Sequence, residues 1–428
     1  MNPLADELNS LLAGSVAGRL LSALGRRLYF PRGIIAQAAE AKKTAAVNAT
    51  LGMAYRQGKP LILRALAEKL PALTSDEAVS YAPTAGVESF RTAWKQAMLR
   101  KNPSISAALS LPAVVPGITA GISYAADLFL DEGQTMLGPS PAWDNYSLVF
   151  GERRGGVYEG VPLFSGGGLN REGFRAAVAK AARSGTVRII LNFPHNPSGY
   201  TPVPAEADFL AGLFEEAAEG GADVLVLCDD AYFGLFYEDS VRESLFGRLA
   251  GLHEKILAVK IDGPTKEDYV WGLRTAFITF GSRGLDDALY AALEKKLMAV
   301  IRSSVSCANT PAQHLTRMLL EDPSARAEKA EYFALLGARY RAVKAFVEME
   351  KAPAMVEAMP FNSGYFMCFR CKGIGAEALR QALLARGIGT IALGGEYLRV
   401  TFASLEESEI PRVYRAIYEC AAELDRGS

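Results

Sequence analysis

Three stretches decide how this chain is read. They are Val187-Arg188-Ile189-Ile190-Leu191-Asn192-Phe193-Pro194-His195-Asn196-Pro197-Ser198-Gly199, Val224-Leu225-Val226-Leu227-Cys228-Asp229-Asp230-Ala231-Tyr232 and Ile256-Leu257-Ala258-Val259-Lys260-Ile261-Asp262-Gly263-Pro264-Thr265-Lys266, the last followed by Gly272 and Arg274. Each begins as a short run that is apolar or nearly so and ends in turn-forming and charged residues. Ala276 to Phe280 is a further run of the same kind. Strands that are apolar on both sides, with helices between them, are what a parallel sheet covered on both faces requires. The expected class is α/β: a large domain whose mostly parallel sheet carries helices on both faces, plus a smaller α+β domain built from both chain ends. Ligands of such sheets bind beyond the carboxyl ends of the strands, where these polar residues fall.

Outward from that centre, Val87, Phe90, Trp94 and Met98 mark one face of a helix. Thr119-Ala120-Gly121-Ile122-Ser123 reads as a glycine-containing turn opening a helix at Tyr124 to Leu130, a place where free backbone amides could meet a phosphate. The chain changes character after Pro311. A helix-rich segment (Gln313 to Glu350) precedes short strands at Gly364 to Phe369 and Tyr397 to Phe402. Alternation in the last strand sets Leu398, Val400 and Phe402 on one face and Arg399 on the other. The division expected is 1–60 joining the small domain, 61–312 the large domain, and 313–428 the small domain.

Composition narrows the function. The 428 residues are enough for two to three lobes of about 150 each. With 46 Lys and Arg against 47 Asp and Glu, there is no bulk charge to hold nucleic acid or an anionic membrane. Five scattered cysteines fit a reducing, cytoplasmic location, and three histidines argue against a histidine-rich metal site. Asp6 and Glu7 precede any base, the wrong order for a signal peptide. The uncharged stretch from Pro103 to Ala126 is broken by Pro112, Pro116, Gly117 and Gly121, so a spanning helix is not expected there.

Taken singly the polar ends say little, since Asn-Pro-Ser-Gly is a common turn and an aspartate ending a strand is commonly a helix cap. Together and in this order they resemble the class I/II aminotransferases among the fold-type I pyridoxal-phosphate (PLP) enzymes. The matching pattern is Asn196-Pro197-Ser198-Gly199, then Asp229-Asp230-Ala231-Tyr232, then Lys266 with Gly272 and Arg274 six and eight residues later. The resemblance runs from about Asn48 to Phe402. It implies that Lys266 is the nucleophile that holds PLP and shuttles the substrate proton, with Asp229 facing the ring nitrogen. It also implies that Asn196 and Tyr232 bond the ring's phenolic oxygen. Arg274, Thr265 and the backbone at Gly121, Ile122 and Ser123 would hold the phosphate, and Trp143 in Pro141-Ala142-Trp143-Asp144-Asn145-Tyr146 would stack on the ring. Arg399 is the implied clamp for the substrate α-carboxylate, with Asn196 beside it, and Leu51-Gly52-Met53 is implied to close over the substrate. Tyr81 would reach the phosphate from a neighbouring subunit, which implies a homodimer. Arg302 is a candidate reader of a side-chain carboxylate, with Ser304 its rival for the same place. The activity implied is transfer of an amino group between an L-amino acid, acidic or aromatic, and a 2-oxo acid by a ping-pong route.

Gly263 departs from the family, many of whose members carry a phosphate-contacting serine there, and Ala276 replaces a common glycine. Cys368-Phe369-Arg370-Cys371 has the spacing of a metal or redox pair but no second pair, His253 and His314 have no cysteine or histidine partner at ligand spacing, and His195, in the Asn-Pro loop, is not expected to be the catalytic base. Gly166-Gly167-Gly168 reads as a surface turn. A lyase or decarboxylase of the same fold remains the alternative activity. A transcription regulator with an aminotransferase-like sensing domain is opposed by the short stretch before Asn48, which has no basic recognition helix.

Overall fold

The computed structural model describes residues 3–12, 34–50, 52–61 and 63–426, so Leu51 and much of the expected N-terminal segment lie outside the described residues. Seven strands form the large sheet: β1 (Ala113–Val115), β2 (Thr135–Ser140), β3 (Val157–Pro162), β4 (Thr186–Asn192), β5 (Asp223–Asp229), β6 (Ile256–Asp262) and β7 (Ala276–Gly281). Their order is β1-β7-β6-β5-β4-β2-β3. β3, β2, β4, β5 and β6 pair in parallel, while β7 is antiparallel to both β6 and β1. The reversal at β7 is not visible in Ala276–Phe280, because a strand buried on both faces is apolar whichever way it runs.

Alternation along the strands splits the core in two. Leu225 and Leu227 of β5 and Val259 and Ile261 of β6 join one cluster with the helix Ile118–Phe129, while Val224, Val226 and Cys228 with Ile256 and Ala258 join another on the far side with Pro204–Glu219. Side chains two apart share a face, so Asp229 follows Leu227 onto the first face and Lys260 follows Ala258 onto the second. That parity sets Asp229 and Lys260 on opposite faces of the sheet.

The helices that matter are α1 (Glu88–Lys101), α2 (Ile118–Phe129), α3 (Pro264–Glu267), α4 (Thr310–Glu321) and α5 (Pro323–Met349). α1 buries Phe90, Trp94 and Met98 as their spacing predicts, and adds Arg91 and Ala97. α2 begins at Ile118 after the cap Gly117, six residues earlier than the expected start at Tyr124. Pro116-Gly117 is the actual boundary, because glycine there takes φ 95° and lets the chain turn into the helix.

The C-terminal part holds a four-stranded antiparallel sheet of β8 (Val356–Ala358), β9 (Phe366–Cys371), β10 (Ile391–Leu393) and β11 (Tyr397–Thr401), in the order β8-β9-β11-β10. Leu398, Val400 and Phe402 are fully buried in its core against Ile410–Arg426. The N-terminal segment docks on this part: Val47–Asn48 pairs with Ile388–Gly389, and Gln37 exchanges two hydrogen bonds with Ala392. The boundary expected at 312/313 falls inside α4, which packs on α1 of the large part. Gly166 and Gly167 form an exposed turn with positive φ, and Asn170 then caps the next helix. Among the described residues no helix is long and apolar enough to cross a membrane, and no cluster of His, Cys, Asp or Glu could hold a metal.

Candidate active site

The ends of β4, β5 and β6 converge. Asp229 is buried, with Oδ2 accepting the Tyr146 hydroxyl at 2.5 Å and Oδ1 the Ala231 amide at 3.2 Å. Asn192 ties the two neighbouring strand ends together: its Nδ2 donates to the Asp229 carbonyl at 2.7 Å and its Oδ1 accepts the Asn196 amide at 2.8 Å. Burial raises the Asp229 carboxyl to about 6, while Tyr146 and the Lys266 charge hold it from rising further.

Lys266 sits in α3, one residue after the buried Thr265, with its Nζ 5.0 Å from the centre of the Tyr232 ring. Its backbone carbonyl accepts the Tyr365 hydroxyl at 3.1 Å, which pins α3 to the small part. Burial lowers the Lys266 ammonium to about 8, with Asp229 opposing and Arg274 assisting. At pH 7 about a tenth of such an amine is neutral, roughly 300 times the fraction for an ordinary lysine. The Tyr232 hydroxyl is pushed up by burial, against the pull of Arg399.

Arg274 adopts a left-handed backbone (φ 51°, ψ 52°), costly for a residue with a Cβ by about 1–2 kcal/mol. The guanidinium lies over Gly117: a Cβ added to that glycine would come within 2.5 Å of Nη2. Its hydrogen bond within the chain is to the Trp271 carbonyl at 3.2 Å, and no carboxylate among the described residues pairs with it. A cation held at the positive end of a helix is unfavourable unless an anion lies between them.

The helix start relocates the backbone cradle. Its free amides belong to the first turn, at Ile118, Thr119 and Ala120. Gly121 instead packs on the sheet, where a Cβ would meet Ile261 Cγ2 at 2.8 Å. Ile122 is fully buried in the core, and Ser123 is half-buried on the helix. The expectation that Gly121, Ile122 and Ser123 form the turn is therefore corrected. Gly263 leaves no room for a serine, since a Cβ there would lie 2.8 Å from the Thr275 carbonyl.

Arg399 is buried on β11, with Nη1 donating to Asn196 Oδ1 at 3.1 Å and Nη2 to the Thr50 carbonyl at 3.2 Å. Its Nε is buried without a partner, a donor left over for a ligand. The Asn196 loop is stitched to the small part: the Gly199 carbonyl accepts the amides of Asn362 and Ser363, each at 2.8 Å. Thr201 and Asn362 exchange two more bonds of 2.8 Å. Contact is so close that a Cβ on Gly199 would overlap the Phe366 carbonyl at 1.9 Å.

The other expected residues lie farther out. Trp143 is half-buried and meets Tyr146 edge-on at 5.7 Å. Tyr81 is 90% exposed beside the exposed Val79, and Arg302 and Gly52 are exposed. Ser304 donates to the Tyr124 hydroxyl at 2.8 Å. His195 is buried against Ser198 at 2.7 Å, and burial lowers its imidazole to about 3, so it stays neutral. Asp230 caps no helix; it pairs with Lys260 and Ser244 on the far face. Sequence reasoning missed Asn192, Tyr365, the Thr50 carbonyl and Tyr146, the last of which stood within the quoted Pro141–Tyr146 stretch.

The site brings together Lys266, the buried carboxylate of Asp229, Arg274 beside a helix start, and the buried Arg399 with a spare donor. Residues 48–417 match the family model for aminotransferase class I and II, and the chain belongs to that family. It is an aminotransferase. No curated protein sequence matches it. Among solved structures it is similar to an aminotransferase from Anaerococcus prevotii (21% identity, 92% of this chain and 98% of that one, TM-score 0.81). It is also similar to a kynurenine aminotransferase from Pyrococcus horikoshii in complex with PMP (16%, 96% and 98%, 0.80). The aspartate aminotransferase from Thermus thermophilus with maleate is a further neighbour (20%, 94% and 99%, 0.72).

Proposed function

We propose that this site moves an amino group between an acidic or aromatic L-amino acid and a 2-oxo acid in two half-reactions, with PLP as cofactor. The observation that carries the reading is the convergence of Asp229, Lys266 and the Asn196–Arg399 pair at the carboxyl ends of β4 to β6. When bound, PLP supplies an aldehyde for an amine to attack and a ring that withdraws electrons. Lys266 would be the amine that holds the cofactor, and its freed Nζ would take up and return the substrate α-proton. Asp229 keeps its charge toward the ring nitrogen, and Tyr146 fixes the orientation of its carboxylate. Arg274 and the free amides of Ile118, Thr119 and Ala120, in the first turn of α2, would hold the phosphate, with Thr265 beside it. Asn196 and Tyr232 would bond the phenolic oxygen, and Trp143 would cover the ring. Arg399 would take the substrate α-carboxylate through its unpartnered Nε and the adjoining face of its guanidinium.

The exposed Tyr81 and Val79 suit a homodimer in which Tyr81 completes the neighbour's phosphate site, and Arg302 would then reach the partner's substrate rather than its own. Gly52 lies in the segment that closes over the substrate. The large domain runs from about residue 61 and takes in α4 by its packing, and the small domain is built from the remainder with 1–60 joining it. A cytoplasmic role in amino-acid metabolism, without nucleic acid or membrane partners, fits the balanced charge. The test is a panel of amino donors with 2-oxoglutarate as acceptor and PLP present. Acidic or aromatic donors should exceed the others by at least about tenfold in kcat/KM, a gap of roughly 1.4 kcal/mol. Donor breakdown without formation of glutamate would overturn transfer.

A further inference from the structure

Directly behind the site, on the opposite face of the sheet, lies a buried ionic group that the reaction as described does not use. Lys260 is fully buried at the end of β6, and its Nζ contacts Asp230 and lies 3.2 Å from Asp262 Oδ2. Asp230 also accepts the Ser244 hydroxyl at 2.6 Å, and Asp262 accepts Trp94 Nε1 at 3.0 Å. The Phe233 ring closes the cluster, 4.7 Å from Nζ. Both aspartates are buried, so one lysine faces two carboxylates. The cluster touches the site through the backbone: Asp230 adjoins Asp229, and its amide bonds the Ile261 carbonyl at 2.9 Å.

We propose that Lys260 is a positioning residue for the transfer reaction, whose buried charge cancels that of Asp230 so that Asp229 can hold its own negative charge toward the cofactor ring. This rests on the assignment of Asp229 to the ring nitrogen. The physics is that of like charges at close quarters. A bare Asp230 would disfavour ionisation of its neighbour, and Asp229 is already held near the upper limit for a useful carboxylate by burial. The other groups facing Asp229 are Tyr146, Tyr232 and Lys266, none of which can replace the lost cation on the far face. Around Lys260 the charged groups are Asp230 and Asp262, with Glu267 of α3 beyond them; Glu267 is itself paired with Lys101 at 2.7 Å. Cys228, beside the pair on β5, is kept a neutral thiol by burial.

The experiment measures PLP binding, not turnover, as a function of pH. In the unaltered chain the affinity should break on the acid side where Asp229 takes up its proton, and Asp229→Asn should abolish that break. Asp230→Asn removes the charge that Lys260 cancels and leaves a one-to-one Lys260–Asp262 pair, so the break should move to lower pH. Lys260→Met should move it up by about one unit, weakening PLP about tenfold at pH values below the unaltered chain's break. A purely structural role would weaken binding in both variants without opposite shifts, and that result, or no shift in either, overturns the proposal. Should Lys260→Met fail to fold, the sign of the Asp230→Asn shift decides alone. If Asp229→Asn leaves the acid break in place, the assignment of Asp229 fails instead, which separates the two readings.

Discussion

The carboxyl end of the sheet presents two lysine–aspartate pairs, one on each face, and they differ in almost everything but composition. On the far face Lys260 touches Asp230, both are buried, and the contact raises the ammonium above its ordinary range. On the near face Lys266 and Asp229 feel each other without a hydrogen bond between them; Asp229 is taken by Tyr146, and the amine falls to about 8. Contact locks a proton in place, and separation frees it. A lysine becomes a nucleophile by being denied the ion pair its neighbour has.

The sharpest way to break this comparison is to ask which lysine reacts. Reduction with borohydride in the presence of PLP, followed by peptide mapping, should place the pyridoxyl group on Lys266. Label on Lys260 would reverse the roles of the two faces. Lys266→Ala should lower turnover by about 10⁴-fold, the upper end of what one acid–base group contributes.

Next in size is the substrate clamp. Arg399→Lys keeps the charge but loses the fork, and charged hydrogen bonds of about 1.5–3 kcal/mol each put the loss in kcat/KM at roughly 10–150-fold. Aspartate, glutamate and phenylalanine should suffer alike. Arg302→Ala should harm acidic donors only. A uniform loss in Arg302→Ala would remove it as a side-chain reader, and a selective loss in Arg399→Lys would show that the two arginines had been interchanged.

The smallest effect concerns stability. The folded-state value of Lys266 is depressed, so its favourable contribution is present above about 10.5 and is lost as pH falls through about 8. Without cofactor at pH 7, Lys266→Met should therefore stabilise the chain, by roughly 1–3 kcal/mol. The gain should shrink between pH 8 and 10.5, as read from urea midpoints. Lys260→Met, which strands two carboxylates, should destabilise at the same pH. Equal signs for the two lysines would end the comparison.

Much of this was legible beforehand, and the failures share a cause. Apolar runs found β4 to β7, and alternation put Arg399 opposite Leu398 and Val400 because a strand has one period. The unbroken apolar run from Ile256 ends at Val259, whereas β6 continues through Asp262. Lys260 and Asp262 look like surface residues until Asp230 and Trp94 are brought beside them from elsewhere in the chain. Pro116-Gly117 was legible as a helix breaker but not as a helix start, and the phosphate cradle shifted with it. Direction was invisible at β7, since burial on both faces erases the pattern. Contacts from distant parts of the chain, such as the Tyr146 hydroxyl on Asp229, leave no local mark.

The stitching at Gly199 has a mechanical consequence. Along that line the two parts of the molecule are bonded backbone to backbone, and a glycine is required for them to lie so close. They cannot separate there without losing four hydrogen bonds of 2.8 Å. A movement of the two parts that kept these bonds would be a swing about this line, as a door turns on its pin. Asn196 lies three residues from the pin and would move little in such a swing, with Arg399 Nη1 donating to its Oδ1 at 3.1 Å. The α-carboxylate would thus be met by a grip already formed, and the residues that sweep through space are those farthest from the axis.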